Sequence, residues 1–257
     1  MPPRNRRLRG LDDQPLNIWK VKPFVELTTA LTNVRALSVP HRPLGLITAP
    51  AGFGKTFTAQ VFAHAHDDVV IVRVPPAELL TLRRLLDEIA VVLGINPDGF
   101  RYSSPLFDAL VDDLQRKDRF VIADEADRLR PGLADVLREL SELSGRALCY
   151  LGCPRTNQIL ARVPATHHRI GFFHTMLPVT MEDVLPYLIG LSLDSTGSRR
   201  LDEPTAKQIF KESGGNLRHI ETLCHQMGGA NTNGRYWDVT PGSIEKLQAK
   251  YQFQKAA

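Results

Sequence analysis

Ala49-Pro50-Ala51-Gly52-Phe53-Gly54-Lys55-Thr56 is the stretch that decides the fold. It follows the apolar run Leu44-Gly45-Leu46-Ile47-Thr48 and opens a helical pattern that continues to about Ala65. A strand, a glycine-rich turn and a helix in that order make a phosphate-binding loop. Gly52 and Gly54 allow backbone conformations that turn successive N–H groups toward one concave side. The helix start adds partial positive charge. Lys55 is placed to reach β and γ phosphates, and Thr56 offers a hydroxyl to Mg²⁺. Phe53 and Phe57 belong to the same nucleotide-binding segment. Ala49 stands where the usual pattern has its first glycine, and the remaining elements are intact.

A second motif lies about 70 residues further on, in Phe120-Val121-Ile122-Ala123-Asp124-Glu125. It reads as a buried strand ending in two acids. At the strand's end Asp124 is expected beside the phosphate loop, holding Mg²⁺. Glu125 is expected to orient or deprotonate an attacking water.

The surrounding pattern alternates strand and helix. Helices are read at Phe24–Val39, Glu78–Leu93, Ser103–Gln115 and Leu133–Leu143. Strands are read at Val69–Val74, Ala147–Leu151 and Ile170–Phe173. This alternation implies a parallel α/β sheet. After Pro178 only helices are expected, at Glu182–Leu191, Glu203–Glu212, Leu217–Met227 and Ser243–Tyr251. The expected organisation is a flexible basic arm at 1–20, a nucleotide-binding core at 21–176 and a helical lid at 177–257.

Charge and composition bound the remaining choices. The 257 residues hold 32 Lys plus Arg against 28 Asp plus Glu, and a net charge of +4. Arg4, Arg6, Arg7 and Arg9 supply that excess, so the rest of the chain is neutral. Such an arm either follows a phosphate backbone or is simply solvated. No apolar run is long enough to span a bilayer and no signal-peptide core stands at the start, so a cytoplasmic protein without membrane partners is expected. Cys149, Cys153 and Cys224 form neither a disulfide framework nor a zinc spacing. His64, His66 and Asp67 look ligand-like but diverge on a helix, and His167-His168 has no acid near in sequence, so no metal site is expected from them.

Taken together, three segments resemble an AAA+ ATPase: the phosphate loop, Asp124-Glu125-Ala126-Asp127-Arg128-Leu129, and Gly214-Gly215-Asn216-Leu217-Arg218. Within that superfamily the chain resembles the DNA-transposition regulators MuB, TnsC and IstB. The Asp-Glu-Ala-Asp-(His/Arg)-Leu form of the second motif and the lead-in Phe24-Val25-Glu26-Leu27-Thr28 carry the narrower likeness. It spans roughly residues 21–250. The fold it implies is α/β, a P-loop AAA+ three-layer parallel sheet followed by a small all-helical lid. The cofactors it implies are ATP and Mg²⁺.

The resemblance also implies roles for single residues. Arg218 matches sensor 2, a lid arginine that reaches the γ phosphate of its own subunit. Leu151-Gly152-Cys153-Pro154 matches the sensor 1 region, with Asn157 as a substitute for the polar residue usual there. Arg169, in His168-Arg169-Ile170, matches the place of the arginine finger, with Arg162 as the alternative; a plain solvated charge is the competing reading of both. A finger working in trans makes ATP bridge two subunits. For this group that implies ATP-dependent rings or helical filaments on double-stranded DNA. Such an assembly marks target DNA and stimulates a transposase, and hydrolysis disassembles it. Whether a targeting factor joins these partners is left open.

DNA contacts are expected from the helices after the second strand. Thr81, Arg83 and Arg84 stand at one helix start, and Arg101, Tyr102, Ser103 and Ser104 at the next. These are donors suited to phosphate oxygens, without a base code. A solvated amphipathic face is the competing reading. Two other functions compete with DNA targeting. One is an AAA+ protein of secretion or replication-loader type that recruits or remodels proteins; its threading loop has only Gly99-Phe100 as an echo. The other is a switch that binds ATP and scarcely hydrolyses it.

Overall fold

A computed structural model describes residues 22–37, 42–176, 179–191 and 203–227. The expected arm at 1–20 and the helix expected at Ser243–Tyr251 lie outside the described residues.

The described residues form two compact units. One comprises 26–50 and 55–176; the other comprises 22–25, 51–54, 179–191 and 203–227.

The first unit is built on five parallel strands: β1 (Leu44–Thr48), β2 (Val69–Arg73), β3 (Phe120–Asp124), β4 (Leu148–Gly152) and β5 (Ile170–Thr175). Their spatial order is β2-β3-β4-β1-β5. Every residue of β1, β3 and β4 is buried, as expected of continuous apolar strands covered on both faces. Successive side chains alternate between those faces. Leu44, Leu46, Val70, Val72, Val121, Ala123, Leu148 and Tyr150 join one core cluster. Over it pack α3 (Leu82–Leu93), α4 (Ser103–Arg116) and α5 (Pro131–Ser144). Gly45 faces the other way, toward Val34 of α1 (Lys22–Arg35), where a Cβ would lie 2.3 Å from a Val34 methyl. That close approach accounts for a glycine inside a buried strand. The Tyr150 hydroxyl is fully buried and donates to the Ala134 carbonyl at 2.7 Å, so the core carries no loss from it.

Local chemistry sets the helix limits. The helix expected from Glu78 begins four residues later, because Thr81 adopts an extended backbone and its hydroxyl caps the Arg84 N–H. Pro75, Pro76 and a turn closed by Leu79 N–H on the Pro76 carbonyl occupy the residues before it. Gly94 and Gly145 end α3 and α5 in the left-handed conformation. Two short helices between β4 and β5 carry too few turns to show a period in the sequence: α6 (Arg155–Leu160) and α7 (Pro164–His167). The helix after the phosphate loop is α2 (Lys55–His64).

The second unit contains α8 (Met181–Leu191), α9 (Glu203–Ser213) and α10 (Leu217–Met227). Val184, Leu188, Ala206, Ile209, Ile220 and Leu223 form its core.

Candidate functional site

The carboxyl ends of β1, β3 and β4 supply the site, as is usual for open parallel sheets. The strand register aligns Thr48 of β1 with Gly152 of β4, and Arg73 of β2 with Asp124 of β3. Thr56, in the first turn of α2, donates its hydroxyl to Asp124 Oδ2 at 2.7 Å. The two groups expected to hold Mg²⁺ are therefore adjacent. They are hard oxygen donors, the chemistry Mg²⁺ prefers, and few protein ligands are needed when phosphates complete the shell. The residues present fit the ion. Asp124 is almost fully buried, and burial pushes its carboxyl above the usual aspartate range. Hydrogen bonds from Thr56 and from the Glu125 N–H, at 2.9 Å, oppose that shift.

The Lys55 ammonium donates to the carbonyls of Ala49 and Pro50 at 2.6 and 2.8 Å. Burial lowers its pKa from the ordinary lysine value, while Asp127, Cys153, Asp124 and Glu125 pull the other way. Asp127 has a structural task as well, since its Oδ1 accepts the Cys153 N–H at 3.1 Å and ties the acidic turn to the end of β4.

Glu125 occupies the left-handed region, with φ of +59°. Its Oε1 accepts two hydrogen bonds from Arg73, at 2.6 and 3.0 Å, and its Oε2 pairs with Arg128. The expected water-activating carboxylate is thus clasped between two guanidiniums. Arg73 was the signal available in the sequence, as the one charge inside the apolar run Val69–Val74.

Residues 51–54 belong to the helical unit. Gly52 and Gly54 have φ of +83° and +74°. Phe53 is buried, and Phe57 of α2 is half-buried. The Arg218 side chain is exposed, and its N–H donates to the Gly52 carbonyl at 3.4 Å.

Asn157 and Cys153 part company. Asn157 lines a cavity of about 460 Å³ with Arg42, His167, His168, Ile170 and Phe173. Cys153 follows β4 directly and is held there by its N–H on Asp127 Oδ1. Arg169 donates from Nε to Glu142 of α5 at 2.6 Å, and Glu142 also pairs with Arg138. Arg162 is exposed after α6.

The residues expected at DNA have unequal freedom. Arg83 is committed three ways, to Asp87 at 2.8 Å and to the carbonyls of Phe100 and Pro97 at 2.7 and 2.8 Å. It clips the turn between α3 and α4. Thr81 caps α3, and Arg84 pairs with Glu88 on its own helix. Arg101 lies over the Tyr102 ring, 5.4 Å from its centre, and that tyrosine is exposed. Ser103 and Ser104 open α4. Phe100 packs partly buried against the core.

An AAA domain family matches residues 39–160. The chain is 30% identical over 225 residues to the Mu-like prophage FluMu DNA transposition protein B of Haemophilus influenzae, covering 86% of this chain and 72% of that protein. It is 30% identical over 132 residues to the ATP-dependent target DNA activator B of Escherichia phage Mu, covering 50% of this chain and 41% of that one. Two solved structures share the fold. Cdc6p of Pyrobaculum aerophilum matches with a TM-score of 0.66 at 20% identity, over 89% of this chain and 66% of that one. The Thermotoga maritima RuvB branch migration motor matches with a TM-score of 0.56 at 16% identity, over 89% of this chain and 68% of that one. At that identity the two structures speak for the fold alone. No helix among the described residues is long and apolar enough to cross a membrane. The adjacent phosphate loop and acidic strand end, with the 30% identity to the prophage protein, lead to one conclusion: this chain belongs to the AAA+ ATPases of the MuB-like transposition protein family.

Proposed function

We propose that this chain is an ATP-dependent, sequence-nonspecific binder of double-stranded DNA. It assembles on duplex with ATP, marks target DNA and recruits or stimulates a transposase, and hydrolysis to ADP and phosphate disassembles it. The single observation that carries the catalytic half is the 2.7 Å contact between Thr56 and Asp124, which joins the phosphate loop to the acidic strand end. The likeness to a DNA transposition protein B supports the DNA half.

Each residue has a part in this reading. Backbone N–H groups around Gly52, Phe53 and Gly54 cradle phosphates. Lys55 exchanges its two carbonyl partners for phosphate oxygens. Thr56 and Asp124 would hold Mg²⁺, which would supply positive charge against the phosphates. Glu125 takes the proton of the water that attacks the γ phosphorus, as the bond to the β-phosphate oxygen breaks. For that, Glu125 must leave the clasp of Arg73 and Arg128. Cys153 stands at the sensor 1 position. Arg218 supplies a second cation within the subunit. Arg169, with Arg162 as the alternative, supplies one to the neighbouring subunit after leaving Glu142.

The DNA surface in this reading is Arg101, Tyr102 and the start of α4 at Ser103 and Ser104, together with Arg84. Arg83 holds the turn that precedes Arg101, and Thr81 caps α3. The burial of Phe100 speaks against a threading loop of the protein-remodelling kind. Electron microscopy of the protein with plain duplex and a non-hydrolysable ATP analogue tests this reading. Rings or filaments that need both ligands are expected. Monomers alone under those conditions would refute it.

A further inference from the structure

Asn216 precedes α10 and does two things with one side chain. Its Oδ1 accepts the His219 N–H at 3.1 Å, which caps the helix. Its Nδ2 donates to the carbonyl of Ala51 at 3.1 Å. Two residues on, the Arg218 N–H donates to the Gly52 carbonyl. All of these groups lie in the helical unit, which includes residues 51–54. A Cβ on Gly52 would fall 2.1 Å from Asn216 Oδ1 and 2.3 Å from Nδ2. Asn216 therefore lies flat against the loop glycine.

A trans peptide points its C=O and N–H in opposite directions. Holding the Ala51 carbonyl on the Asn216 side turns the Gly52 N–H to the opposite side. Holding the Gly52 carbonyl does the same to the Phe53 N–H. A phosphate cradle needs successive N–H groups fixed toward one side before the anion arrives.

We propose that Asn216 is a positioning residue for the phosphate loop. By gripping the Ala51 carbonyl it orients the Ala51–Gly52 peptide so that the Gly52 N–H faces the phosphates. The proposal rests on the nucleotide-binding reading above. It also gives Gly52 a second reason to be glycine, since the first is its positive φ and the second is room for Asn216.

The test separates the grip from the helix cap. Asn216→Ser keeps an oxygen for the His219 N–H but is too short to reach Ala51, while Asn216→Ala loses both. For full-length protein with a fluorescent ADP analogue, Asn216→Ser is expected to weaken binding by about 3- to 10-fold, the worth of one hydrogen bond. Adenosine, measured by competition, should bind Asn216→Ser as it binds the wild type. The melting temperature without nucleotide should stay at the wild-type value for Asn216→Ser and fall for Asn216→Ala. Amide exchange should quicken over residues 51–54 only. Wild-type ADP affinity in Asn216→Ser would overturn the proposal. So would equal weakening for ADP and adenosine, or faster exchange throughout α9 and α10, since both mark a purely structural role. If the wild type itself does not bind the ADP analogue, the nucleotide-binding reading fails and takes this one with it.

Discussion

The strand end at Asp124-Glu125 and the helix starts at Arg83-Arg84 and Arg101-Tyr102 both looked, as sequence, like charge awaiting a ligand. The structure treats them differently. At the strand end, Asp124 is buried beside a lysine and a threonine, and its carboxyl is held in a costly state. At the helix starts, most charges already have partners: Arg83 holds a turn together and Arg84 meets Glu88. Burying a charge without full compensation is unfavourable, and such strain concentrates where a ligand will relieve it. Exposed and mutually paired charges carry no comparable signal. The candidate nucleotide site therefore stands out within one chain, while a candidate surface for DNA does not.

Substitutions at the strand end should give the largest effects. Glu125→Gln is expected to lower ATP turnover by about 100-fold or more, the usual worth of a general base, with ADP affinity unchanged. Phosphate release and equilibrium binding measure the two. Turnover near wild type would remove the base from Glu125 and weaken the contrast between the regions.

Asp124→Asn should separate function from stability. Burial raises the Asp124 carboxyl above its unfolded value, so protonation favours the native state. That contribution is present below the ordinary aspartate range and is lost as pH rises through the raised value. At neutral pH the neutral asparagine is expected to raise the melting temperature by a few degrees while Mg²⁺-dependent turnover disappears. The gain should shrink as pH is lowered. A lower melting temperature at neutral pH would mean that the Thr56 hydrogen bond outweighs desolvation.

Arg73→Ala loosens the clasp on Glu125. Turnover without DNA should rise by about 3- to 10-fold, since about 1 kcal/mol of charge-assisted hydrogen bonding no longer holds the carboxylate back. A fall in turnover would make Arg73 a helper rather than a restraint.

The smallest effects are expected on the DNA side, and there two arginines should diverge. Arg101→Ala is expected to weaken duplex binding a few-fold and reduce the salt dependence by about one counterion. Arg83→Ala should instead cost about 1 kcal/mol of stability, read in a urea melt, because it unfastens the turn at Pro97–Phe100. The same loss of DNA binding from both, without loss of stability in Arg83→Ala, would restore Arg83 to the surface.

What the sequence disclosed follows the same division. A phosphate loop needs glycines, a lysine and a hydroxyl at set spacing, because a backbone cradle allows little else, so Gly52, Gly54, Lys55 and Thr56 were legible. β1, β3 and β4 were legible because strands covered on both faces must be continuously apolar, while β5 alternates half-buried and exposed residues. The clasp on Glu125 was not, because it depends on β2 and β3 being neighbours in register, which the order of elements alone does not specify. The turn held by Arg83 was hidden for the converse reason. Besides Asp87, its partners are the backbone carbonyls of Pro97 and Phe100, and a carbonyl leaves no mark in a sequence. Asn216 stood within a quoted motif, yet its contact with Ala51 spans 165 positions. The short α6 and α7 lacked the turns needed to show periodicity.

The central claim is that nucleotide controls DNA binding in this chain. Anisotropy of a labelled duplex, titrated with protein in the presence and absence of a non-hydrolysable ATP analogue, tests it most directly. Cooperative, salt-sensitive binding with the analogue and little without it is expected, with loss of the effect in Lys55→Ala. Equal binding with and without the analogue would contradict it.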